Sequence, residues 1–179
     1  MPKAWLENPA PAIYQKPLEL PPGRYLLQVE LQDATTGDAA KFEQPIDVPD
    51  FDSGGLACSS LELTAWPKAG ASGQAPQASF DGSFRRDQRI GIYLQLYNLM
   101  LDAASQKPRA SVEYLILQGD TVVFRQQETL PAGDSTKLTL TKTISLAAVA
   151  PGDYLLKVRV TDEVRQQSIE PQAKFRVTP

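Results

Sequence analysis

Two stretches of this sequence are nearly the same. Pro22-Gly23-Arg24-Tyr25-Leu26-Leu27-Gln28-Val29-Glu30-Leu31-Gln32-Asp33 aligns without gaps to Pro151-Gly152-Asp153-Tyr154-Leu155-Leu156-Lys157-Val158-Arg159-Val160-Thr161-Asp162, seven of twelve positions being identical at an offset of 129. The same offset sets Ile46 and Val48 on Phe175 and Val177, so the strand that follows also repeats. A repeat at fixed spacing constrains the fold before any local propensity does. This spacing is the size of one β-sandwich domain with its connector. The second copy closes the sequence, so each copy reads as the closing hairpin of a domain. The expected organisation is a partial sandwich over 1–49, a linker over 50–55 and a complete sandwich over 56–179. The opening Met1-Pro2-Lys3-Ala4-Trp5 has no apolar core of a signal peptide, and the chain is expected to start inside a longer protein.

The strands follow from period-two alternation, which puts successive side chains on opposite faces. Tyr154, Leu156, Val158 and Val160 share one face, and Tyr25, Leu27, Val29 and Leu31 share the equivalent one. Ile90, Ile92, Leu94 and Leu96 alternate with Gly91, Tyr93, Gln95 and Tyr97; Val112, Tyr114 and Ile116 form a further row, and Leu138, Leu140 and Ile144 a looser one. Turn signals divide these runs at Asp81-Gly82, Gly119-Asp120, Pro131-Ala132-Gly133-Asp134 and Pro151-Gly152-Asp153. Gly119-Asp120 predicts a tight hairpin. Seven or eight strands are expected in the second domain and no amphipathic helix; residues 98–105 read as an irregular turn. The fold class is therefore all-β, an immunoglobulin-like antiparallel sandwich.

Composition narrows function mainly by exclusion. A net charge of −3 argues against nucleic acid, because phosphate binding needs clustered Lys and Arg. No apolar run reaches the roughly 18 residues that span a bilayer. Histidine is absent, which removes the commonest general base, the Ser–His and Cys–His dyads and the usual transition-metal ligand. No catalytic residue, cofactor or metal ligand is expected. Cys58 is the single cysteine and reads as a small buried side chain rather than a reactive thiol.

Two candidate sites remain. Asp50 and Asp52, with Asp33, Asp162 or Glu163, are oxygen ligands that suit calcium, but turn capping explains isolated aspartates better. Tyr93, Gln95 and Tyr97 lie on the face opposite the β-strand's apolar row. They form a candidate ligand surface, against the alternative that the tyrosines pack beneath a loop. Trp5 carries the same ambiguity, and Trp66, ending a strand before Pro67, is expected in the core or at a domain junction.

The stretch from Leu146 through Pro151-Gly152-Asp153-Tyr154 into Leu155-Leu156-Lys157-Val158 resembles the corner between the two sheets of fibronectin type III and related immunoglobulin-like domains. In that corner a tyrosine packs inward and its hydroxyl bonds back to the corner backbone. Leu18-Glu19-Leu20-Pro21-Pro22-Gly23-Arg24-Tyr25 repeats it. With Val48-Pro49-Asp50-Phe51, Leu61-Glu62-Leu63 and Ile92-Tyr93-Leu94-Gln95-Leu96-Tyr97-Asn98-Leu99, the arrangement resembles the C-terminal region of secreted acidobacterial proteins related to von Willebrand factor A and GWxTD-containing proteins. That resemblance implies an extracytoplasmic modular bacterial protein and brings no catalytic residues. The expected function is a non-catalytic structural or protein-interaction module, with an accessory carbohydrate- or ligand-binding domain as the alternative. A protein partner or self-association through exposed strand edges is expected, because the apolar row of the partial sandwich must dock or exchange between chains.

Overall fold

The computed structural model describes residues 14, 16–52, 54–66, 77–79, 81–131, 133 and 135–179. Trp5, and Ala132 and Asp134 of the Pro131–Asp134 turn, lie outside the described residues. The chain divides into two compact units, Met1–Asp50 and Phe51–Pro179. All regular structure among the described residues is β-strand.

The first unit contains β1 (Gly23–Gln32) and β2 (Ala39–Val48), an antiparallel pair. Directly opposed residues share a face, so Tyr25↔Ile46, Leu27↔Gln44, Val29↔Phe42 and Leu31↔Ala40 make one largely apolar surface. The opposite surface carries Arg24, Gln28, Glu30, Lys41, Glu43 and Asp47.

The second unit is an all-β sandwich. Its strands are β3 (Ala57–Cys58), β4 (Glu62–Trp66), β5 (Gln77–Ala78), β6 (Ser83–Arg85), β7 (Arg89–Tyr97), β8 (Ala110–Gln118), β9 (Thr121–Thr129), β10 (Leu138–Ser145), β11 (Gly152–Asp162), β12 (Gln167–Ile169) and β13 (Gln172–Thr178). One sheet runs β10-β7-β4-β5, with β3 also paired to β7; the other runs β6-β13-β11-β8-β9, with β12 on β11. All pairings are antiparallel except β6 with β13. Among the described residues, eleven strands stand where seven or eight were expected. The excess consists of short pieces such as β3, β5, β6 and β12, too brief to show a period of two.

The long rows fall where alternation put them. Ile90, Ile92, Leu94 and Leu96 of β7 are buried against Val112, Tyr114 and Ile116 of β8 and Tyr154, Leu156, Val158 and Val160 of β11 in one core. Burying each such side chain contributes about 1.5–3 kcal/mol relative to leaving it in water. Tyr154 stacks on Phe175 at 5.5 Å, and Phe84 meets Phe175 edge-on at 6.0 Å. Gly119 takes φ = +58° in the two-residue loop between β8 and β9, the turn expected there. The looser row on β10 has a physical reason. Lys142 takes an inward position, bonding Glu128 at 2.5 Å with its ammonium 5.5 Å from the Tyr114 ring centroid.

The closing hairpins of the two units match residue for residue. Gly23↔Val48, Tyr25↔Ile46 and Leu27↔Gln44 correspond to Gly152↔Val177, Tyr154↔Phe175 and Leu156↔Ala173. Tyr25 donates its hydroxyl to the carbonyl of Pro21 at 2.8 Å, and Tyr154 donates to Ala150 at 2.7 Å. Both corner glycines adopt a conformation that L side chains rarely take, φ = +154° at Gly23 and +157° at Gly152. At the far end, Asp33 accepts from the N–H groups of Thr35 and Thr36, and Asp162 from those of Val164 and Arg165.

The two tyrosine-led rows differ in burial: that of β11 lies in the sandwich core, and that of the partial unit is left in part exposed. On β1 and β2, Tyr25 and Leu27 are half-buried, while Leu31 is 66% and Phe42 55% exposed. Among the described residues of the first unit, these two strands have no second sheet to cover their apolar side.

Candidate functional site

The outer face of the β10-β7-β4 sheet carries the side chains singled out on β7. Across it, Thr143, Gly91 and Thr64 lie in one row and Thr141, Tyr93 and Glu62 in the next; Thr139 pairs with Gln95. Hydroxyl, amide and aromatic groups therefore make up most of this face.

Tyr93, Gln95 and Tyr97 are brought together and half-buried. Tyr97 donates its hydroxyl to Gln95 Oε1 at 2.5 Å, and Gln95 Nε2 donates to the Tyr93 hydroxyl at 2.9 Å. The Tyr97 ring stacks on Phe51 at 4.4 Å with 26° between planes, and the Lys137 ammonium lies 5.7 Å from its centroid. The Asn98 amide donates to the carbonyls of Phe51 at 2.6 Å and Gly55 at 2.9 Å; Arg165 also bonds the Gly54 carbonyl. Phe51, Gly54 and Gly55, from the stretch 50–55 expected as a linker, thus contact Tyr97, Asn98 and Arg165 within the second unit, and Phe51 occupies one face of Tyr97.

At the other end of β7 the structure adds Trp66. It is 37% exposed on the outer face, so the core, one of its two expected places, is not where it lies. Its indole lies over Gly91, where a methyl group would collide with Trp66 Nε1 and Thr64 Oγ1. A glycine inside a strand marks such a close approach, and the run Leu61, Leu63, Ala65 packs on the core. Alternation alone therefore turned Glu62, Thr64 and Trp66 outward; the size of tryptophan suggested burial. Between Trp66 and Tyr93 lies a depression of 390 Å³ that Glu62, Thr64, Gly91, Thr141 and Thr143 also line.

The outer face of the other sheet differs in chemistry. Arg125 bonds Glu113 at 2.5 Å, Arg159 bridges Glu113 at 3.4 Å and Glu170 at 2.7 Å, and Lys157 reaches Glu170 at 3.1 Å. Beyond this lattice a wider groove of 620 Å³ includes Leu117, Leu155, Lys174 and the paired Asp153 and Arg176, whose closest contact is 2.6 Å.

Several other titratable groups are held by the fold. Burial, then the Glu128 carboxylate that its hydroxyl meets at 3.1 Å, raises the Tyr114 phenol far above the usual range. Burial also raises the Cys58 thiol, which keeps it protonated and unreactive near neutrality. Of the aspartates weighed as calcium ligands, Asp33 and Asp162 hold their own turns. Among the described residues no group of three His, Cys, Asp or Glu is placed to hold a metal, and no helix is long and apolar enough to cross a membrane.

Several carboxylates sit below their ordinary values of 3.8 for Asp and 4.5 for Glu. Backbone N–H donors are the main cause at Asp33, Asp81 and Asp102; Arg176 is at Asp153; Lys157, then Arg159, are at Glu170. A carboxyl depressed in the folded state stabilises fully above its unfolded value and loses that contribution as pH falls through the folded one. Thermal unfolding followed by circular dichroism is therefore expected to show a flat midpoint from pH 7 to about 5 and a decline below about 4. Glu170→Gln, in which the group no longer titrates, is expected to make that decline shallower.

No protein-family model matches the chain, and no curated protein matches it at a significant level.

Proposed function

We propose that this chain is a non-catalytic interaction module of a larger extracytoplasmic bacterial protein, built from immunoglobulin-like sandwiches in tandem. The observation that carries the reading is the repeated closing hairpin, with the same register, corner hydrogen bond and aspartate-held turn in both units. Sheets composed of β4-β7-β10 and β6-β13-β11-β8-β9, with β6 parallel to the last strand, β13, also suit an immunoglobulin-like order. On this reading β1 and β2 close a preceding sandwich. Their apolar face and free strand edges are then the means of association with a protein partner or a second copy.

Sedimentation velocity across the micromolar range tests this. Concentration-dependent association that the double substitution Leu31→Glu and Phe42→Glu abolishes is the expected result. A monomer at every concentration, with no binding of an apolar dye to the hairpin, would remove the basis of the reading.

A second reading, an accessory carbohydrate- or ligand-binding domain, draws on the aromatic and hydroxyl-rich outer face of the β10-β7-β4 sheet. It is compatible with the first, since a modular protein can carry binding surfaces on its sandwiches.

A further inference from the structure

We propose that the depression between Trp66 and Tyr93 is a carbohydrate subsite that takes a neutral pyranose unit against the Trp66 indole. The proposal rests on the second reading above and is independent of the tandem-module reading. It also moves the ligand surface along β7, away from the Tyr93-Gln95-Tyr97 cluster, where Phe51 already covers Tyr97.

The shape comes from Gly91. Residues before and after it on the outer face of β7 carry long side chains, Arg89 and Tyr93, and the glycine leaves the room that the Trp66 indole takes up over the strand. The depression lies between that indole and Tyr93. The volume, 390 Å³, is within the usual range of small-ligand sites, about 300–1,000 Å³. The indole is held by the contact with Gly91 and Thr64, so little conformational freedom is lost when a ligand lies on it.

The chemistry of the rim selects the ligand class. Thr64, Thr141 and Thr143 offer hydroxyls that donate and accept, and the Glu62 carboxylate accepts. Sugar hydroxyls complement both kinds of group, while the apolar face of a pyranose ring suits the indole. Lys142 also lines the depression, with its ammonium engaged by Glu128, and the Arg89 guanidinium is engaged by the Thr143 hydroxyl at the rim. Both cations already have partners, and the Glu62 carboxylate on the rim disfavours an anionic sugar.

The test is titration of the whole chain with a panel of β-1,4-linked hexasaccharides of glucose, mannose, xylose and N-acetylglucosamine, alongside oligogalacturonate and a proline-rich peptide. Isothermal calorimetry and tryptophan emission provide the readouts. At least one neutral hexasaccharide is expected to bind saturably and shift the emission. Trp66→Ala is expected to weaken that binding tenfold or more with the far-ultraviolet dichroism unchanged, and Glu62→Gln to weaken it less. Gly91→Ala retains the tryptophan but displaces its ring, and is expected to weaken binding as Trp66→Ala does. Tyr97→Phe, outside the depression, should bind as the parent does. No saturable binding to any neutral member, binding only to the oligogalacturonate or the peptide, or neutral binding that survives Trp66→Ala would each overturn the proposal.

Discussion

Asp162→Ala is expected to destabilise the second unit by about 3 kcal/mol, read as a lowered midpoint in chemical denaturation. Asp162 is 0% exposed, and its carboxylate accepts three backbone N–H groups: Met100 at 2.8 Å on one oxygen, Val164 and Arg165 at 3.0 Å on the other. Alanine leaves all three donors without that partner. An unsatisfied buried donor costs about 1–3 kcal/mol, and donors near the surface recover part of that from water. Asp162→Asn keeps an acceptor oxygen but replaces the other with an amide that cannot accept, so an intermediate loss is expected. The control is internal to the molecule. Asp33 makes the same turn bonds on an exposed hairpin, where water replaces them readily, and Asp33→Ala is expected to leave the unfolding midpoint of the second unit unchanged. An effect of Asp162→Ala below about 1 kcal/mol would show that the carboxylate is not what anchors this turn.

Leu156→Ala is expected to cost about 3 kcal/mol in the same measurement. Leu156 is 0% exposed on β11, with Ile116 of β8 and Ala173 of β13 as its strand neighbours. Such a truncation loses the transfer free energy of the side chain and leaves a cavity, a combined cost of about 2–5 kcal/mol. The equivalent residue in the repeat is Leu27, half-buried on β1. Leu27→Ala leaves no enclosed cavity, so a smaller change in that hairpin is expected. Equal effects at the two positions would mean that the β1–β2 face is covered as fully as the sandwich core.

Paired substitutions of this kind separate local pattern from tertiary environment, because the two hairpins share the first and differ in the second. The tyrosine corner, the opposed residues and the aspartate-held turn all arise within about 30 residues of chain, and the repeat carried them into both units. The rows on β7, β8 and β11 were legible for a related reason. With one face of a strand buried, alternation leaves a mark in the residues themselves.

The candidate site was legible only in part. Tyr93, Gln95 and Tyr97 were correctly placed on one face, but that Phe51 stacks on Tyr97 depends on a chain segment more than 40 residues away. Trp66 had a signal in the alternation of Leu61, Leu63 and Ala65, and in the glycine at 91. Joining the two required the pairing of Thr64 with Gly91 across β4 and β7. Lys142 is similar: an inward lysine breaks an apolar row until Glu128 and Tyr114, from the opposite sheet, supply its partners.

By itself, the sequence determined the long strands, which side of each is apolar and where the chain reverses between them, because these follow from backbone geometry and neighbours close in the chain; the short strands left no such mark. Tertiary structure alone decided whether an apolar side is covered, which polar groups meet, and which aromatic ring is left facing water. Those outcomes depend on strands far apart in sequence occupying adjacent positions, and no short stretch of residues encodes them.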